Sequence, residues 1–117
     1  MRRILVIDDE PSLRLLIRRY LSRRGFRVDL AVNGEEGIRL CQADRYDMII
    51  SDCHMPGPQI AGILMELRRL EPSIPILAIS GLAQPDEVQR VLKAGATRFL
   101  AKPFDLSDLL RTILAMS

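Results

Sequence analysis

The chain is poor in cysteine and in aromatic residues. It has no tryptophan, three phenylalanines, two tyrosines and two cysteines among 117 residues. Cys41 and Cys53 favour reduced thiols in the cytoplasm over a disulfide framework. No apolar run is long enough to cross a bilayer, and no signal peptide is apparent. We therefore expect a cytoplasmic protein with no membrane partner.

Positive and negative charges are nearly balanced. The formal net charge is +2, and the arginine pairs are spread over several predicted helices rather than gathered on one. No helix-turn-helix pattern or aromatic platform accompanies them, so we expect no direct nucleic-acid binding. No low-complexity tract, internal repeat or linker interrupts the sequence. The length predicts one domain over residues 1–117 with a single core.

Short apolar runs predict five strands. Four are near-continuous and typical of strands buried on both faces of a parallel sheet. A fifth, more alternating run looks like an edge strand. The predicted strands, with the edge strand second, are residues 3–7, 26–32, 48–51, 76–80 and 98–101.

Segments of helical period separate these runs. Helices are predicted from about residue 13 to Gly25, after the cap Asn33 to about Ala43, over 60–70, over 86–94, and from the cap Asp105 onward. The predicted sheet-facing side chains of the first and last helices are Leu13, Leu16, Ile17, Tyr20 and Leu21, and Leu106, Leu109, Leu110, Ile113 and Leu114. Periodicity alone leaves the strand order open. Right-handed crossovers favour an α/β, doubly wound, flavodoxin-like parallel sheet in the order 2-1-3-4-5 with five helices.

Polar residues stand where four of the apolar runs end. These are Asp8 and Asp9, Asp52, Ser80, and Lys102. In that strand order the carboxyl ends meet at one edge of the sheet. Each residue taken alone has an ordinary explanation as a cap, turn or loop residue. Their conjunction at one rim predicts a metal-binding, phosphoryl-accepting pocket.

The three acids indicate a magnesium site. Close carboxylates repel one another unless a cation joins them, and Mg²⁺ prefers oxygen ligands and retains several waters. Asp9, Asp52 and a nearby backbone carbonyl are the expected ligands. Asp8 is expected to act through a water molecule. Asp52 is also a candidate nucleophile, because a carboxylate oxygen can attack phosphorus and form an acyl phosphate. Lys102 would then neutralise phosphoryl oxygens, and the Ser80 hydroxyl would donate a hydrogen bond to one.

The chain resembles, from end to end, the receiver domain of two-component response regulators, of the chemotaxis-receiver type, and four stretches carry the resemblance. They are ILVIDDEPSLR, YDMIISDCHMPG, PSIPILAISG and KAGATRFLAKPFD. The spacings of 28 residues from Asp52 to Ser80 and 50 from Asp52 to Lys102 also match that family. The resemblance implies that Asp52 takes a phosphoryl group from a histidine kinase or phosphotransfer protein. It implies Mg²⁺ bound by Asp8, Asp9, Asp52 and the His54 carbonyl.

The same resemblance implies a switch. Ser80 would sense the phosphate, Lys102 would bind it, and Phe99 would turn inward as the hydroxyl moves. The alternative for Phe99 is an ordinary core position. The signal would leave through the fourth helix, fifth strand and fifth helix, to a downstream protein or a fused effector domain.

The sequence departs from the family pattern in three places. After Asp52, Pro58, Gln59 and Ile60 stand where the family commonly has a hydrophobic residue, Asp and Gly, and Pro56 and Pro58 stiffen this loop. The His54 side chain is unusual there: it either affects attack of water on the acyl phosphate or is merely solvated. Thr97 and Arg98 replace acids that often support dimerisation, so we expect that salt-bridged dimer to be absent or altered and any homodimer to be weak.

Alternatives to the switch remain. One is a receiver-like interaction module that acts independently of phosphate. Another is an aspartyl-nucleophile phosphohydrolase, which needs a second acid-base carboxylate that Cys53, His54 and Met55 do not offer. Met1 directly before the first strand favours an N-terminal position. The end at Ser117 leaves open a stand-alone receiver or the receiver of a longer regulator or hybrid kinase.

Overall fold

Strands and helices alternate along the chain. The structure, a computed structural model, describes residues 2–55, 59–81 and 84–117. The strands within these ranges are β1 (Arg3–Ile7), β2 (Arg27–Ala31), β3 (Met48–Asp52), β4 (Ile76–Ser80) and β5 (Arg98–Ala101). The helices are α1 (Pro11–Ser22), α2 (Gly34–Ala43), α3 (Ile60–Leu70), α4 (Pro85–Ala94) and α5 (Leu106–Met116). None of the helices described is long and apolar enough to span a membrane.

The sheet is fully parallel, in the order β2-β1-β3-β4-β5. This order confirms the prediction of a doubly wound fold. Alternate side chains of the central strands point to opposite faces and build two separate apolar clusters. Helices α2, α3 and α4 pack on one face, and α1 and α5 pack on the other. The two-sided cover explains why β1, β3 and β4 are near-continuous apolar runs.

Local signals set several helix ends. The Asn33 side chain accepts a hydrogen bond from the Glu36 amide at 2.8 Å, which confirms the predicted cap of α2. The Glu36 carboxylate reaches back to the Val32 amide at 2.9 Å, one residue before the cap. Gly95 ends α4 at φ +132°, a conformation that side-chain-bearing residues rarely adopt.

Arg68 ties the end of α3 to the end of α4. Its guanidinium donates to the carbonyl oxygens of Glu71, Pro72 and Ile74 in the loop before β4, and to Gly95. This loop leads directly into β4, which carries Ser80 at its far end. The arginine therefore anchors the amino end of a strand whose carboxyl end supplies the candidate site.

Some predicted details were wrong. Leu16 and Leu114 are 48% and 55% exposed, rather than part of the buried stripes. Arg98 and Ala101 of β5 are exposed as well, because β5 is an edge strand without the cover that the central strands have. The ends of elements also moved: β2 is shorter than 26–32, β3 extends one residue to include Asp52, and α1 and α4 both begin at a proline. α1 ends at Ser22, before the positive-φ Gly25.

Candidate functional site

The carboxyl ends of the strands place the predicted polar residues at one rim. Asp8 follows β1 and extends the ladder, with its amide donating to the Ala31 carbonyl at 3.1 Å. Asp52 and Ser80 are the last residues of β3 and β4. Lys102 follows β5, and its amide donates to the Ser80 carbonyl at 2.8 Å. The structure therefore brings together residues that lie far apart in the sequence.

Three carboxylates form an acidic cluster at this rim. One oxygen each from Asp8, Asp9 and Asp52 lies within 4.8 Å of the others. Asp8 and Asp52 are only 2% and 5% exposed, whereas Asp9 is exposed. Burial raises the pKa of Asp8, and the negative charge of Asp52 adds to the increase, against the lowering effect of the Glu10 amide. Such a set of hard oxygen donors is suited to a divalent cation such as Mg²⁺.

The two oxygens of the Asp52 carboxylate face different neighbours. Oδ1 accepts the His54 amide at 3.3 Å. Oδ2 lies 3.6 Å from Lys102 Nζ, which is also 3.9 Å from Asp8 Oδ2. The Lys102–Pro103 peptide bond is cis. A group attached to Asp52 would therefore lie beside an ammonium that is already within the cluster.

A fourth acid near the site, Glu87, was missed by the sequence reasoning. Its carboxylate Oε1 accepts a hydrogen bond from the Ser80 hydroxyl at 3.3 Å. The same oxygen lies 2.6 Å from His54 Nε2. In the sequence Glu87 looks like an ordinary acid in the first turn of a helix, where negative charge is favourable. Only the packing of α4 beside the ends of β3 and β4 reveals these contacts.

Phe99 lies on β5, where its register partner is Ala78 of β4. It is partly buried and packs against the apolar cluster beneath α4, which includes Val91. Its inward turn on phosphorylation stays a prediction, as does the ligand role of the His54 carbonyl. The predicted stiffening by Pro56 and Pro58 falls outside the described residues.

A shallow apolar groove adjoins the rim. It has a volume of about 380 Å³ and is lined by Lys102, by Leu13 and Leu16 of α1, and by Pro103, Phe104 and Leu106. Leu15, next to Leu16 on α1, is also exposed. The groove leaves apolar surface open beside the Lys102 ammonium.

Comparisons with known proteins agree with this geometry. A family model described as "Response regulator receiver domain" matches residues 4–114. The chain is 37% identical over 114 residues to the response regulator MprA of Mycolicibacterium vanbaalenii, covering 97% of this chain and 49% of MprA. The chain thus spans about half the length of the curated relatives it matches.

Solved structures show the same fold. Chemotaxis protein CheY4 of Vibrio cholerae superposes with a TM-score of 0.95 at 31% identity, covering 100% of this chain and 99% of CheY4. Response regulator TrrA of Thermotoga maritima, solved in complex with Mg²⁺ and BeF, gives a TM-score of 0.89 at 29% identity over 100% of both chains.

Proposed function

The chain belongs to the response regulator receiver domain family, whose members are phosphorylation-controlled switches of two-component systems, and we propose that Asp52 is its phosphoacceptor. Receiver domains are not metabolic enzymes. The chemistry proposed for this chain is limited to self-phosphotransfer and autodephosphorylation. The observation that carries the proposal is the placement of a buried carboxylate, Asp52, between two other acids and the Lys102 ammonium at the carboxyl edge of the sheet.

Asp52 would act as the nucleophile. One of its oxygens forms a bond to phosphorus as the bond from phosphorus to the donor's leaving atom breaks, and an acyl phosphate results. Asp8, Asp9, Asp52 and the His54 carbonyl would hold Mg²⁺, which would supply positive charge that offsets the repulsion between the Asp52 carboxylate and the phosphoryl oxygens. The TrrA complex with Mg²⁺ and BeF supports this choice of cation.

Lys102 and Ser80 would stabilise the product. The Lys102 ammonium, 3.6 Å from Asp52 Oδ2, is placed to bind a phosphoryl oxygen as a point charge. The Ser80 hydroxyl, at the end of the adjacent strand, would donate a hydrogen bond to another oxygen. Both groups favour the added negative charge. Because Ser80 ends β4 and Lys102 follows β5, phosphorylation would change the contacts at the ends of these two strands first.

Partners follow from this chemistry. A histidine kinase or phosphotransfer protein is the proposed donor, docking on the apolar groove formed by Leu13, Leu16 and Phe104 beside Lys102. The output surface would be α4, β5 and α5, read by a separate protein or by a fused effector domain. We propose a cytoplasmic location, in keeping with the two free buried cysteines, and no direct contact of this domain with nucleic acid. Any homodimer would be weak.

Intact-mass spectrometry tests the proposal. The protein is incubated with acetyl phosphate and Mg²⁺, beside Asp52→Asn, a sample with excess chelator, and the control Asp44→Asn. Asp44 is an exposed acid before β3, at the opposite edge of the sheet. We expect a gain of one phosphoryl group in the wild type and the control, and none with Asp52→Asn or chelator.

Two results would contradict the proposal. Absence of both a phosphoryl adduct and beryllofluoride binding would favour an interaction module that acts independently of phosphate. Sustained turnover of a phosphomonoester would instead indicate an aspartyl-nucleophile phosphohydrolase.

A further inference from the structure

The Glu87 carboxylate connects two segments of the candidate site. From the first turn of α4 its Oε1 accepts the Ser80 hydroxyl at 3.3 Å and lies 2.6 Å from His54 Nε2. The His54 backbone amide in turn donates to Asp52 Oδ1. The Glu87 side chain is only 13% exposed. A single oxygen of this largely buried side chain therefore contacts both the proposed phosphate-sensing hydroxyl and the loop after the phosphoacceptor.

A serine hydroxyl has one proton to donate. While that proton is donated to Glu87, it is not available to a phosphoryl oxygen on Asp52. The two acceptors must therefore compete for Ser80. Glu87 is well placed to compete, because its carboxylate, like the phosphoryl group, is a charged acceptor, and hydrogen bonds to charged acceptors are stronger than those to neutral ones.

We propose that Glu87 is a positioning residue that holds the Ser80 hydroxyl in the unphosphorylated state and so opposes the phosphorylated conformation. The inference rests on the proposed phosphorylation of Asp52 and on Ser80 as its sensor. In a two-state switch, an interaction made only in one state shifts the equilibrium toward that state by its own free energy. Removing the Glu87 carboxylate removes one acceptor that competes for the Ser80 hydroxyl and so favours the phosphorylated-like state.

The contact with His54 makes Glu87 a fixed acceptor. His54 Nε2 lies 2.6 Å from the same Oε1, and the carboxylate sits on a regular helical turn. Glu87 therefore has a partner that stays when Ser80 leaves. The side chain that changes partner in the switch is then Ser80, and α4 receives the change directly through Glu87.

Equilibrium binding of beryllofluoride, a phosphoryl mimic, tests the inference. Its affinity in the presence of Mg²⁺ is measured by ¹⁹F NMR for the wild type, Glu87→Ala and Glu87→Gln. We expect binding about fivefold tighter for Glu87→Ala, the size of one hydrogen bond that no longer competes. Glu87→Gln keeps the shape and a neutral acceptor, so its gain should be smaller. Because both variants remove the charge of Glu87, Asp86→Ala is the matched control: Asp86 is an acid in the same helical turn, and its affinity should equal that of the wild type.

A double-substitution cycle separates this role from a general charge effect. In a Ser80→Ala background, Glu87→Ala should leave the affinity unchanged, because the hydroxyl is already gone. An equal gain in both backgrounds overturns the inference, as does unchanged affinity of Glu87→Ala with normal wild-type binding. Absence of beryllofluoride binding by the wild type overturns the proposed function and this inference with it.

Discussion

The buried acidic cluster should destabilise the protein when no metal is bound, and Asp8→Asn measures by how much. At an effective dielectric constant of about 20, unit charges 4.8 Å apart repel by about 3 kcal/mol. Asp8 lies within this distance of two like charges, those of Asp52 and Asp9. It is attracted to Lys102 Nζ, 3.9 Å away, by about 4 kcal/mol. Its burial adds a desolvation penalty, while solvent screens the exposed Asp9. We expect Asp8→Asn to stabilise the metal-free protein by about 2 kcal/mol.

Thermal unfolding in chelator is the assay. A gain of that size should raise Tm by about 8 °C for a domain of this size. An asparagine keeps the acceptor for the Glu10 amide, which donates to Asp8 Oδ1 at 2.8 Å, so the change removes charge and leaves this hydrogen bond. Asp9→Asn is the matched control, and its smaller gain is expected because Asp9 is exposed. Added Mg²⁺ should raise the Tm of the wild type more than that of Asp8→Asn.

The pH dependence has a definite sign. Burial raises the pKa of Asp8 above its ordinary value. The folded protein therefore keeps the Asp8 proton at pH values where the unfolded chain, with a pKa of about 3.9, has released it. Metal-free wild-type stability should fall, relative to Asp8→Asn, as pH rises from about 4 through the raised pKa. A lower Tm of Asp8→Asn than of the wild type in chelator at pH 7, or a Tm advantage of Asp8→Asn that grows toward acid pH, would refute destabilisation by the Asp8 charge.

Three further predictions concern stability and reactivity. Arg68→Ala removes hydrogen bonds to four backbone carbonyls, including that of Gly95 at 2.7 Å. It should lower the free energy of unfolding in urea by about 3 kcal/mol, and Arg68→Lys should have an intermediate effect. A change within experimental error would contradict the anchoring role. Burial raises the pKa of Cys53 to about 12. Its thiol should therefore not react with a disulfide reagent at pH 8 until the protein unfolds. Rapid modification of the folded protein would argue against that burial. Asn33→Ala removes the cap of α2 and should lower the free energy of unfolding in urea by about 1 kcal/mol. Asn33→Ser keeps a capping oxygen and should retain most of that stability. Equal losses for both variants would show that the cap hydrogen bond is not responsible.

The sheet could be predicted because its signals are local. Short apolar runs, helical periods and caps each depend on neighbouring residues, and right-handed crossovers leave few strand orders for such a chain. The errors occurred where burial depends on which helices meet. Leu16 and Leu114 continue the apolar stripes of α1 and α5, yet both remain exposed. Likewise, the apolar run of β5 predicted burial on both faces, yet Arg98 and Ala101 are exposed at the edge position that the predicted strand order already gave this strand.

The sequence by itself determined the fold, the rim and the five polar residues placed on it, since parallel strands deliver whatever follows their carboxyl ends to one edge. Tertiary structure alone decided how those residues are coupled. The raised pKa of Asp8 depends on how deeply the cluster is buried. The contacts of Glu87 with Ser80 and His54 depend on where α4 packs against the sheet. A helix face is encoded by its periodicity, whereas the distance from one of its side chains to a neighbouring strand end is set by the packing of the whole domain.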